Sequence, residues 1–177
     1  MSKAVMLSIR PKWCEKIISG EKTIEVRKNR PKLETPFKCY IYCTMDHPYI
    51  SVSCGELDKL NYRTNTVGRC NGKVIGEFIC DCIYGLAPLN HAPDDVEHQA
   101  CLTREEIVRY LKGVGYGWHI SDLKIYDTPK KLSEFKGLCK VESDCCACPY
   151  YNYSKMDCDG RTIKRPPQSW CYVEATE

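Results

Sequence analysis

The sequence predicts an α+β fold: short strands around a small barrel, with helices against it. Three observations carry this. Apolar runs of strand length recur along the 177-residue chain, two segments have helical spacing with start and stop signals, and strands and helices do not alternate as a doubly wound sheet requires. A chain of this length buries about 70% of its unfolded surface, enough for one self-sufficient core. Residues 1–177 are therefore read as a single domain, with an irregular insertion at 45–71 and a cysteine-rich C-terminal insertion at 139–160.

Val5 to Ile9 reads as a short apolar strand. Pro11 opens a helix through Ile18, with Trp13, Ile17 and Ile18 near 3.6-residue spacing and Gly20 just past its end. Thr23 to Arg27 alternates as a strand. After a loop punctuated by Pro31 and Pro36, Phe37 to Cys43 is a β-rich run. Asn71-Gly72 is a tight turn before a long strand from Lys73 to Ile83, with Gly76 as a bulge position. Pro88 to Ala100 reads as loop. Thr103 caps a helix from Arg104 to Leu111, with Glu106 completing a capping box and Ile107, Tyr110 and Leu111 on the apolar face. Tyr116 to Ile120 and Leu123 to Tyr126 are short strands, Lys130 to Phe135 a helical turn, and Gln168 to Glu174 a closing strand.

Hydrophobic residues make up 43% and charged residues 28%, an ordinary globular balance, and no apolar run reaches the roughly eighteen residues of a membrane span. The N-terminal apolar stretch is too short for a signal peptide, so a cytoplasmic location without membrane contact is expected and the fourteen cysteines are expected to be reduced. A net charge of +3 does not by itself mark a nucleic-acid binder. A polyanion would be met locally, by Lys22 to Lys32 or by Arg161 to Arg165.

The densest chemistry lies in Gly20-Glu21-Lys22-Thr23-Ile24-Glu25-Val26-Arg27. A period of two sends Ile24 and Val26 toward a core and Thr23, Glu25 and Arg27 to the other face, with Lys22 at the strand's mouth. Lys22 and Arg27 offer a point charge and a planar fork for phosphate, and Glu25 can orient one of them or accept from a base amino group. Trp118 and Trp170 offer flat faces for stacking, with His119 and Gln168 as adjoining polar groups; the alternative for each tryptophan is a core position. Arg30 and Lys32 would steer a phosphate backbone.

The spacing Gly20-x-Lys22-x-x-Glu25-x-Arg27 resembles the G-x-K-x-x-E-x-R motif of the ASCH family, whose members share a PUA-like β-barrel. The segments Tyr116-Gly117-Trp118-His119-Ile120 and Arg165 to Glu174 resemble phage-associated ASCH proteins in particular. The resemblance implies a protein that binds RNA or a nucleotide or nucleoside in a charged cleft. It also implies an alternative, a hydrolase that is either an amidohydrolase acting on N4-acetylcytidine or a ribonuclease, with Lys22 and Glu25 as the catalytic pair. Glu25 stands where the amidohydrolase branch has its catalytic threonine, and Glu97 is a loose counterpart of its later glutamate. A carboxylate beside a lysine favours the charged amine, which places binding ahead of catalysis.

Cys145-x-x-Cys148, with Cys139 before and Cys158 after, has the composition of a four-thiolate site for one structural zinc. Free thiols in a surface loop are the alternative. Cys39, Cys43, Cys80 and Cys82 lie at even spacing in strands and read as small buried side chains.

Overall fold

A computed structural model of the chain describes residues 2–51, 69–86, 92–138, 151–152, 154, 157–158 and 161–176. β1 (Lys3–Ile9) alternates between two buried surfaces: Val5, Leu7 and Ile9 point to one core, Ala4 and Met6 to another. Burial on both faces explains why this strand reads as a continuous apolar run. It lies between β10 (Trp170–Glu174), which is antiparallel to it, and β3 (Phe37–Cys43), which is parallel to it. Antiparallel pairs then add β4 (Lys73–Cys80) and β7 (Ser121–Lys131), giving a five-stranded sheet in the order β10-β1-β3-β4-β7. Gly76 sits at a register shift between β4 and β7, where a Cβ would come within 2.5 Å of the Lys124 carbonyl oxygen.

A second, three-stranded sheet, β2-β6-β5, is built from β2 (Ile24–Arg27), β6 (Tyr116–His119) and β5 (Ile83–Gly85). One of its faces meets the main core through Trp118; the other packs Ile24 and Val26 beneath α2 (Val96–Ala100) and α3 (Arg104–Leu111). α1 (Pro11–Ile18) starts with proline in its first turn and buries Cys14 and Ile17. The Thr103–Glu106 capping box forms as expected, with Glu106 N donating to Thr103 Oγ1 at 3.2 Å and Thr103 N to Glu106 Oε2 at 2.8 Å.

The mixed α+β class holds, with three corrections. Among the described residues the strands form two larger sheets and a two-stranded pair, β8 (Tyr151–Asn152) with β9 (Asp157–Cys158), and no closed barrel. The expected strand from Lys73 to Ile83 is two strands in different sheets, because the chain leaves the first sheet at Asp81-Cys82. It returns between β6 and β7, and the two crossings are pinned together: His119 N donates to Cys82 O at 3.0 Å, and His119 Nδ1 lies 2.7 Å from Asp81 Oδ1. Finally, Val96–Ala100 is helix rather than loop; it is short, and the Asp95 side chain accepts from Gln99 Nε2 at 2.7 Å rather than capping a backbone amide.

Most of the cysteine-rich segment and most of the 45–71 insertion fall outside the described residues. Cys39, Cys43, Cys80, Cys14 and Cys70 are fully buried, so they are core residues, whereas Cys82 is half-buried. No helix among the described residues is long and apolar enough to cross a membrane.

Candidate functional site

Gly20 takes φ +79°, which ends α1 and reverses the chain so that Lys22 N donates to Lys16 O at 2.9 Å. Thr23 N is then held by Gln99 O at 2.9 Å, and β2 begins. With Ile24 and Val26 committed to the helices, Glu25 and Arg27 project to the opposite face. That face is buried: Lys22 is 2%, Glu25 6% and Arg27 6% exposed.

The three charges form a relay. Lys22 Nζ lies 3.4 Å from Glu25 Oε2, and Glu25 Oε1 lies 3.0 Å from Arg27 Nη2. Lys22 Nζ also donates to Ile24 O at 2.8 Å and Ala100 O at 2.7 Å. Arg27 Nη2 donates to Ser8 O at 2.8 Å, and Nη1 to both the carbonyl and the hydroxyl of Ser169 at 3.2 Å. Buried charge is tolerated because every member has an opposite neighbour or backbone acceptors. Burial raises the Cys14 thiol well above its usual value, with the Cys43 thiol and the Glu25 charge adding to the effect.

The relay forms one wall of a cleft of ≈ 420 Å³. Ser8, Ile9 and Arg10 at the end of β1, Thr44 after β3, and Gln168 before β10 line it further. Trp13 from α1 and Tyr110 from α3 supply its aromatic surface, with Lys12 Nζ 4.3 Å from the Trp13 ring centroid and Lys28 Nζ 5.4 Å from that of Tyr110. Three buried polar atoms of cleft residues have no hydrogen-bond partner among the described residues: Glu25 Oε2, Arg27 Nε and Thr44 Oγ1.

Of the residues expected from sequence, Lys22, Glu25, Arg27 and Gln168 line this cleft. Trp118 does not. It is the cross-strand partner of Glu25 and shares its face, but it is fully buried, edge-on to Phe37 at 5.8 Å and 6.0 Å from Trp170. It is therefore a core residue, as its alternative reading held. Trp170 is half-buried against the same core and edge-on to Tyr172 at 5.3 Å. His119 pins the sheet crossing to Asp81; burial raises the Asp81 carboxyl, but the His119 hydrogen bond and charge outweigh it and hold it below the usual value. Arg30 is exposed, 5.7 Å from the Tyr116 ring centroid. Cys139, Cys145 and Cys148 lie outside the described residues, and Cys158 is buried in β9. Among the described residues no three histidine, cysteine or acidic side chains are grouped to hold a metal.

Sequence reasoning missed Trp13, Tyr110 and Thr44, and also Ser8, Arg10 and Lys12, among the residues lining the cleft. Trp13 and Tyr110 were legible only as members of apolar helix faces. Their shared cleft depends on how α1 and α3 meet β2.

The fold and this site define a class: an α+β domain whose cleft is walled by a buried lysine–glutamate–arginine relay just after a helix. The ASCH domain model matches residues 7–57, a span that includes α1, the signature octet, β2 and β3. Among solved structures, the ASCH protein from Zymomonas mobilis is similar at 16% identity with a TM-score of 0.56, covering 97% of this chain and 87% of that one. A serine-to-alanine variant of the same protein gives 17% identity and a TM-score of 0.56, covering 97% of this chain and 88% of that one. A tyrosine-to-phenylalanine variant gives 19% and 0.51, covering 74% and 77%. At these identities the likeness concerns the fold. No curated protein matches the sequence. The domain model thus matches less than a third of the chain, and the solved structures are similar to it in fold.

Proposed function

We propose that this chain binds RNA or a single nucleotide in the cleft walled by Lys22, Glu25 and Arg27. The observation that carries the reading is the set of buried polar atoms left without partners there, on Glu25, Arg27 and Thr44. Buried polar groups are almost always paired, so a cleft that leaves three of them open suits a polar ligand. ASCH domains are generally linked to RNA binding, which agrees with this chemistry. Aromatic stacking is assigned to Trp13 and Tyr110 in place of Trp118, and the exposed cations beside them, Arg10, Lys12 and Lys28, serve the phosphates.

The hydrolase reading has less support. Lys22 Nζ is held by the carbonyl oxygens of Ile24 and Ala100 at 2.8 and 2.7 Å and lies 3.4 Å from the Glu25 carboxylate, surroundings that suit a structural cation better than a nucleophile. A phage-associated, cytoplasmic setting and a PUA-like relation belong to the same proposal, resting on the motif resemblance. So does one structural zinc on Cys139, Cys145, Cys148 and Cys158, which elemental analysis of purified protein would show as one zinc per chain.

The deciding experiment is fluorescence anisotropy with a labelled single-stranded RNA oligomer over a salt series. Binding that weakens with salt, and a shallower salt slope in Arg10→Ala/Lys12→Ala, supports the reading. No binding of RNA, nucleotides or nucleosides overturns it, and turnover of N4-acetylcytidine or cleavage of RNA by the wild type would replace it with the hydrolase.

A further inference from the structure

Resting on the nucleotide-binding reading, we infer that Glu25 and Arg27 receive the hydrogen-bonding edge of one unpaired nucleobase rather than a phosphate. Counting hydrogens leads there. A guanidinium has five N–H bonds. Those of Arg27 donate to Ser8 O, Ser169 O and Ser169 Oγ, Nη2 also lies 3.0 Å from Glu25 Oε1 as an ion pair, and Nε is without a partner among the described residues. Lys22 spends its ammonium on two carbonyls and faces Glu25 with the remainder. Neither cation presents a free fork or point charge to a phosphate.

What lacks a hydrogen bond among the described residues is one carboxylate oxygen of Glu25, which lies 3.4 Å from Lys22 Nζ, with one N–H of Arg27 and the hydroxyl of Thr44, all three buried. A phosphate brings acceptors alone and would set its charge against the Glu25 oxygen in a poorly solvated place. A base edge brings an N–H beside an acceptor, which answers Glu25 Oε2 and Arg27 Nε respectively. Trp13 and Tyr110 line the same cleft and offer faces for the ring. The base must be unpaired, because pairing would already occupy that edge. Arg10 and Lys12, at the exposed side of the cleft, then meet the backbone.

The test compares, on the intact protein, a short single-stranded RNA with an abasic ribose-phosphate oligomer of the same length, and adds inorganic pyrophosphate as competitor. The base-bearing strand binds at least about tenfold tighter, the size of one hydrogen bond to a charged group, and pyrophosphate does not displace it. In Glu25→Gln this discrimination falls. Thr44→Val, outside the relay, lowers affinity for the base-bearing strand without altering that for the abasic one, and needs no change to the buried charges. Abasic and base-bearing strands binding within about twofold of each other, or displacement by pyrophosphate, overturns the inference while leaving nucleotide binding in place. Failure of every nucleic-acid probe to bind overturns both.

Discussion

Lys22 Nζ donates to the carbonyl of Ala100, 2.7 Å away and 78 residues later in the chain, so the signature lysine fastens the end of α2 to the mouth of β2. The same amine holds Ile24 O at 2.8 Å and sits 3.4 Å from Glu25. The lysine of the motif is thus a structural clamp as well as a member of the cleft wall.

Replacing it should show this directly. Lys22→Met leaves Glu25 with one cationic partner and frees two carbonyls, so unfolding free energy falls by about 3–5 kcal/mol. Urea denaturation measures the loss, and amide exchange in Val96–Ala100 accelerates. A variant as stable as wild type with unchanged exchange would show that the clamp contributes nothing.

The two aromatic groups separate by role. Trp118→Ala empties a fully buried site and costs about 3–5 kcal/mol. Tyr110, 45% exposed, is cheap to remove; Tyr110→Ala changes stability by less than about 1 kcal/mol yet weakens RNA binding by about 1–3 kcal/mol. Thermal unfolding and anisotropy on the two variants read these outcomes, and unchanged binding in both Tyr110→Ala and Trp13→Ala would remove the stacking role.

α3 carries Tyr110, and its start is held by the capping box of Thr103 and Glu106. Thr103→Ala lowers stability by about 1 kcal/mol. Chemical denaturation checks it, and a difference near zero would mean solvent satisfies those amides equally well.

On the far face of the large sheet, Glu77 accepts from Tyr126 at 2.7 Å and pairs with Lys38 at 3.4 Å. Burial raises its carboxyl, but the Tyr126 hydrogen bond and Lys38 outweigh this and hold it below its ordinary 4.5. A depressed carboxyl stabilises the fold above the unfolded value, and that contribution is lost as pH falls through the folded one. Stability therefore declines as pH drops below about 4.5, and Tyr126→Phe makes that decline shallower. Denaturation midpoints across this range measure it; identical profiles would assign acid sensitivity to other groups.

Much of the fold was legible because its signals are local. Phe37–Cys43, Pro11–Ile18 and Arg104–Leu111 match their expected spans, since alternation, a proline start and a capping box are encoded within a few residues. The break at Asp81-Cys82 carries neither glycine nor proline, so the crossing between sheets left no local mark, and β4 and β5 read as one strand. α2 was missed because five residues carry too little periodicity to register.

The sequence by itself determined most of the longer elements, the turn at Gly20, and that Glu25 and Arg27 share a face opposite Ile24 and Val26, because these follow from backbone preference and a two-residue period. Only the tertiary structure decided what that face does. It put Trp118 in the core and Trp13 and Tyr110 in the cleft, and it spent the hydrogens of Lys22 and Arg27 on Ala100 and Ser169, partners 78 and 142 residues away. Which buried hydrogen-bonding groups remain open for a ligand depends on such distant partners, and no local pattern in the chain records them.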